Sequence, residues 1–263
     1  MTDGTVNCIA TVAAGTCTLT PLTPGDKLLT AAYAGNETFG PSTSPPEPHT
    51  VNLSGSPSAS RSTVSATPSP IPASSGTSVS TITVTVLDAF GNPVNGAPVT
   101  LVATGTGNTL TPSGTTGTDG VMTGTLSSTV AGTKTITATV GSVTIDNKPS
   151  VTVDPATAAQ LVFTTQPADV QGGILAPVVV SARDQFGNAA TGFGGNVSMA
   201  IGRDASLLGA HLGGTTLVAA IAGVATFGEL TIDQLGVGYT LRATADGITA
   251  ESEPFTVLTL SLP

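Results

Sequence analysis

Two stretches of the chain read alike, and that repetition constrains the fold more than any other feature of the sequence. Residues 80–101 are STITVTVLDAFGNPVNGAPVTL and residues 176–201 are APVVVSARDQFGNAATGFGGNVSMAI. Each has an alternating run rich in β-branched residues, then Asp-x-Phe-Gly-Asn, then a second alternating run. Asp88 and Asp184 stand about 100 residues apart. Two further landmarks follow in the same order. Gly120-Val121-Met122-Thr123 matches Gly223-Val224-Ala225-Thr226, and Ile136-Thr137-Ala138-Thr139-Val140 matches Leu241-Arg242-Ala243-Thr244-Ala245. The last pattern also occurs early, as Leu29-Thr30-Ala31-Ala32-Tyr33. Three landmarks in fixed order define a repeat unit of domain size.

Within each unit, runs of four to eight residues alternate with period two and are separated by Gly, Pro and Asn, as antiparallel strands with one buried face require. The expected fold is all-β: tandem β-sandwich modules in an elongated array, the first incomplete. In the middle module Ile82, Val84, Val86, Val99, Leu101, Val121, Ile136, Ala138 and Val140 are expected to face inward. Their counterparts in the last module are Val178, Val180, Ala182, Val197, Met199, Ile201, Val224, Leu241 and Ala243. Burying each such aliphatic side chain contributes roughly 1.5–3 kcal/mol, so these positions hold the modules together.

The expected boundaries are 1–53, 54–154 and 155–263, marked by Ser54-Gly55-Ser56-Pro57-Ser58 and by Val153-Asp154-Pro155-Ala156. Both joints are short and contain proline, which favours a semi-rigid rod. Residues 1–53 amount to half a sandwich. They are expected to expose an apolar face and an unpaired strand edge, and either to be poorly ordered or to borrow strands from another copy, a route to self-association.

Composition narrows the partners. Charged residues make up 9% of the chain and the net charge is −9, which disfavours phosphate backbones and anionic membranes, so nucleic acid is excluded as an expected partner. No apolar run is long enough to insert in a bilayer. Cys8 and Cys17 are the sole cysteines. Their spacing suits a bridge across neighbouring strands in an oxidising compartment, and two buried thiols are the other reading. The Thr-rich, Lys-poor composition points to an exported protein, located extracellularly or at the cell surface, with its export signal upstream.

The middle unit resembles the invasin and intimin type of bacterial immunoglobulin-like domain. The resemblance runs over about residues 55–154 and is carried by Ser62-Thr63-Val64, Ile82-Thr83-Val84-Thr85-Val86, Asp88-Ala89-Phe90-Gly91-Asn92-Pro93-Val94, Val99 and Gly120-Val121. The last unit keeps Asp184-Gln185-Phe186-Gly187-Asn188 but has Ala189-Ala190 in place of Pro-Val. Residues 1–53 are similar to the C-terminal half of another bacterial Ig-like repeat. The resemblance implies adhesins, surface-layer and secreted repeat proteins, and offers no catalytic residue to carry over.

The residues with most chemical potential are in the repeated turns: Asp88, Gly91 and Asn92, and Asp184, Gly187 and Asn188. Asp and Asn oxygens on a loop suit calcium, yet further oxygen donors (Asp119, Asp204, Asp233) are scattered over separate loops. The structural reading is preferred: Asp accepts turn N–H groups, Gly takes positive φ and Phe plugs the end of the sandwich. Neither His49 nor His211 has a nucleophile and an orienting acid by sequence, Glu229, Glu251 and Glu253 lack an aromatic platform, and no phosphate loop or Gly-x-Ser-x-Gly elbow occurs. No enzyme and no cofactor are expected. The favoured function is a stalk or spacer of an adhesin-like protein with a role in cell adhesion. The alternative is an accessory module of a secreted enzyme or virion protein that binds carbohydrate or a host protein, its ligand unknown; zero Trp and two Tyr weaken the carbohydrate version.

Overall fold

The strand Ser80–Thr85 shows how alternation becomes architecture: Ser80, Ile82 and Val84 are buried while Thr81 is exposed and Thr83 and Thr85 are half-buried. A computed structural model describes residues 1–51, 55–111 and 113–260, and no helix occurs among them. The expected boundary at residues 53 and 54 lies outside the described residues.

In the middle module one sheet runs in the order Thr63–Thr67, Ser80–Thr85, Val121–Ser128, Asn108–Leu110. The facing sheet runs Gly114–Thr115, Pro98–Ala103, Gly132–Val140, Ser150–Asp154, Ile71–Pro72, with Val143–Thr144 also paired to Gly132–Val140. The last module has Ala158–Thr165, Val178–Asp184 and Val224–Phe227 in one sheet. Val170–Gly172, Phe255–Leu260, Gly236–Ala245, Asn196–Arg203 and Leu217–Ala219 form the other. The buried aliphatic residues fall into two clusters, one spanning Val64 to Val153 and one spanning Leu161 to Val257. The fold is a tandem of immunoglobulin-like β-sandwiches.

Most expected core residues are inside, and three are not. Val121 is half-buried and Val224 is 40% exposed, whereas Met122, Leu126, Ala225 and Phe227 are buried. Cross-strand pairing explains the flip. Met122 lies opposite Val84, Ala225 opposite Val180 and Phe227 opposite Val178, all of which face the core, and directly opposed residues share a face. A one-residue error in parity turns a whole strand over. Ile201 is half-buried against the last core.

Residues 1–51 form a partial sandwich. Gly25–Leu29 pairs with Glu47–Val51, and Ala32–Tyr33 pairs with Ser42–Thr43. The register repeats the middle module: Gly25 lies opposite Val51 as Gly132 lies opposite Val153, and Lys27 opposite His49 as Lys134 opposite Val151. In the middle module the other edge of Gly132–Val140 pairs with Pro98–Ala103, Thr137 facing Val102. The equivalent Thr30 instead exchanges backbone hydrogen bonds with Thr2 (2.9 and 3.0 Å), so a short stretch near the start stands in for a whole strand. Cys8 and Cys17 form a disulfide with Cα atoms 5.9 Å apart. The eight residues they bracket leave Ile9 and Val12 exposed.

Candidate functional site

The two Asp-x-Phe-Gly-Asn turns share one internal hydrogen-bond set, and its centre is the aspartate. Asp88 Oδ1 accepts from the backbone N–H of Phe90 (2.8 Å) and Asn92 (2.9 Å), and Oδ2 accepts from Asn92 Nδ2 (3.1 Å). Asp184 Oδ1 accepts from Phe186 and Asn188 (both 2.9 Å), and Oδ2 from Asn188 Nδ2 (2.8 Å). The chain reverses at Gly91 (φ +89°) and Gly187 (φ +87°), values that a residue with a Cβ adopts only under strain. Both carboxylates are buried. Burial pushes their pKa values up, but the hydrogen bonds from Asn92, Phe90 and Gly91 at one turn, and from Asn188, Ala156 and Phe186 at the other, outweigh it. Both stay ionised below the ordinary carboxylate range.

Each turn also reaches outside its own sandwich. Asn188 Nδ2 donates to the carbonyl of Thr129 (2.8 Å), and Asn188 Oδ1 accepts from the N–H of Ala131 (3.0 Å). Thr129 and Ala131 sit on the loop that crosses from Val121–Ser128 in one sheet of the middle module to Gly132–Val140 in the other. Asp184 Oδ2 accepts from Ala156 N (2.9 Å), so the connecting segment is tied to the same carboxylate. Phe186 and Ala156 both pack against the middle module's core. At the other turn, Asn92 Nδ2 donates to the carbonyl of Leu22 (2.9 Å) and Phe90 is 62% exposed. The phenylalanine therefore does not plug its own sandwich. Phe186 extends to its neighbour's core because a ring at the apex of a reversing turn points away from the strands that carry it, and Phe90 has no closed core to reach.

The remaining candidates are dispersed. Asp119 accepts from Val121 N (3.0 Å). Asp204 holds the loop 204–210 through Ser206 and Ala210, which keeps its pKa low. Asp233 accepts from the N–H of His211 and lies 3.8 Å from its exposed ring. Among the described residues no group of three or more His, Cys, Asp or Glu converges as a metal would need. His49 is exposed on the strand Glu47–Val51. Glu251 accepts from Thr240 Oγ1, while Glu229 and Glu253 are exposed. Tyr239 is buried, its ring centroid 5.9 Å from that of Phe255 and its hydroxyl donating to the carbonyl of Gln234 (3.0 Å). This is the corner-locking arrangement of immunoglobulin-like folds. Among the described residues no helix is long and apolar enough to cross a membrane.

The sequence singles out the turns but not what they grip. Thr129, Ala131, Ala156 and Leu22 contribute backbone groups, which carry no side-chain signature. A usable signal was the matched pair Thr129-Val130-Ala131-Gly132 and Leu22-Thr23-Pro24-Gly25, each followed two residues later by lysine.

Residues 61–154 match the family model described as bacterial Ig-like domain (group 1), so the middle module carries that domain. No curated protein matches the chain. Among solved structures the chain is similar to FdeC, an Escherichia coli adhesin, at 18% identity and a TM-score of 0.46, over 94% of this chain and 89% of that one. It is similar to the Yersinia pseudotuberculosis adhesin InvE at 23% identity and TM-score 0.38, over 76% of this chain and 60% of that one. For invasin, a bacterial integrin-binding protein, the figures are 16% and 0.47, over 90% of this chain and 54% of the invasin chain, about half its length.

Proposed function

We propose that this is a non-catalytic tandem Ig-like segment of an exported bacterial adhesin-like surface protein, acting at the cell surface or outside it as a stalk that spaces a functional tip. The modules would be 1–53, 54–154 and 155–263. The observation that supports this best is the joint at Asp184–Asn188, where one turn binds a loop of the preceding module, the connecting segment and the preceding core together. A stalk needs joints that resist bending, and a joint fixed at three places does so without a large interface. The bacterial Ig-like match over residues 61–154 supports the exported setting. Small-angle scattering tests the reading: a stalk gives one extended profile, unchanged by salt, whereas a compact or salt-dependent ensemble would overturn it.

A second reading, ligand binding at the loop 204–210 of the last module, is favoured by Leu207 (101% exposed) and Leu208 (84% exposed) on that loop, which Asp204 holds. Binding to a glycan array or an immobilised host-protein panel, lost in Leu207→Ser with Leu208→Ser, would favour it. Self-association is the third element of the proposal. Leu29, Ala31 and Tyr33 occupy the places of Ile136, Ala138 and Val140, yet Ala31 is exposed and the other two are half-buried. The two complete sandwiches have closed their sheets on one another, so the uncovered sheet face that a second copy offers is this same one. Sedimentation should show a concentration-dependent dimer abolished by Tyr33→Asp, and a monomer at every concentration would contradict it.

A further inference from the structure

We propose that the Asp-x-Phe-Gly-Asn turn is a docking head that reads an inter-sheet loop of the preceding Ig-like module. On this view Asp88–Asn92 is a second such head, and Leu22–Gly25 is its loop, half-engaged because of one proline. The inference rests on the stalk reading and names the contact that would set the stalk's stiffness.

Three loops occupy the same place in their modules. Gly132 opens the strand Gly132–Val140 and pairs with Val153; Gly25 opens Gly25–Leu29 and pairs with Val51; Gly236 opens Gly236–Ala245 and pairs with Val257. The residues just before these glycines are therefore equivalent: Thr129-Val130-Ala131, Leu22-Thr23-Pro24 and Asp233-Gln234-Leu235. An asparagine carboxamide has a donor and an acceptor side by side, and the loop offers a carbonyl and, two residues on, an N–H. Asn188 uses both halves, on Thr129 and Ala131. Asn92 uses its donor on Leu22, the residue equivalent to Thr129. The residue equivalent to Ala131 is Pro24, which has no N–H to give.

The ring completes the recognition. Phe186 packs against the closed core of the middle module, while Phe90 stays 62% exposed. The partner that fits the head is thus defined chemically: a loop with a carbonyl at its first residue, a free N–H at its third, and an apolar floor beside them. The aspartate presets the carboxamide by accepting from its nitrogen at both turns, so little rotamer freedom is lost on docking.

The test uses the full chain with its disulfide intact and pairs of nitroxide labels read by pulsed electron paramagnetic resonance. Labels at Thr123→Cys and Thr226→Cys report on the second joint, and labels at Glu47→Cys and Thr123→Cys on the first. The expected distance distribution is narrow at the second joint and broadens at least about twofold in Asn188→Ala, with both modules still folded. Ala131→Pro, which imports the Pro24 defect without touching the turn, should broaden it as well and decides the matter if Asn188→Ala fails to fold. Pro24→Ala should narrow the first joint. A second joint that is narrow and indifferent to both Asn188→Ala and Ala131→Pro overturns the docking head and leaves the stalk standing. A broad distribution at the second joint of the unaltered chain overturns both.

Discussion

The strands Gly132–Val140 and Gly25–Leu29 follow the same kind of loop and pair in the same register, yet one is sealed in a core and the other is not. Ile136, Ala138 and Val140 are at most 2% exposed. Leu29 and Tyr33 are half-buried, Ala31 is exposed, and Leu28 and Phe39 nearby are 61% and 66% exposed. Local sequence is enough to set loop and register. Burial is a property of the second sheet, built in the middle module by Ile82, Val84, Met122 and Leu126 from the opposite layer. A half-sandwich keeps the geometry of the whole and loses most of its hydrophobic stabilisation.

The sharpest way to break this contrast is a buried charge. Val84→Asp should unfold the middle module and Leu241→Asp the last one, each sparing the other's core, because an unpaired carboxylate in an apolar interior costs several kcal/mol. Calorimetry of the two variants checks it, and loss of both modules together in either variant would show that the cores are not independent. Next in size is truncation at equivalent sites. Ile136→Ala should cost about 2–5 kcal/mol, as deletions in a closed core do, while Leu29→Ala should cost less than about 1 kcal/mol, both read from denaturant midpoints. Reducing Cys8–Cys17 should loosen residues 1–51 alone, by on the order of 2–3 kcal/mol on loop-closure grounds. Limited proteolysis after reduction should cut there and nowhere in the closed modules.

The smallest effect is a pH response at the second joint. Asp184 has a folded pKa below its unfolded value, so its contribution is fully present above the unfolded value, about 4, and is lost as pH falls through the lower folded one. The label distance across that joint should hold steady from neutrality down to about pH 4 and broaden below it. In Asp184→Asn the acid step should disappear. A step centred near pH 6 would instead implicate a histidine.

Much of this architecture was legible because period-two alternation, glycine punctuation and an ordered repeat act through the backbone locally. The buried members of Ser80–Thr85 and Val178–Asp184 follow from sequence parity alone. Val121 and Val224 were misplaced because their parity is set by the strand opposite, through Val84, Val178 and Val180, and not by their own neighbours. The turns stood out through Asp, Gly and Asn, whose side chains or lack of one make the turn. Their targets were hidden, since Thr129 O, Ala131 N and Leu22 O are main-chain groups that every residue but proline can supply in full. Pro24 is the one place where that silent half of the joint shows itself in the sequence.

Native-state hydrogen exchange on the intact chain compares the two equivalent strands directly. Amides of Gly132–Val140 should exchange only through global unfolding of the middle module, and those of Gly25–Leu29 orders of magnitude faster, through local opening. Equal protection in the two strands at concentrations where the chain is monomeric would contradict the claim that closure by a second sheet, and not local register, holds these modules together.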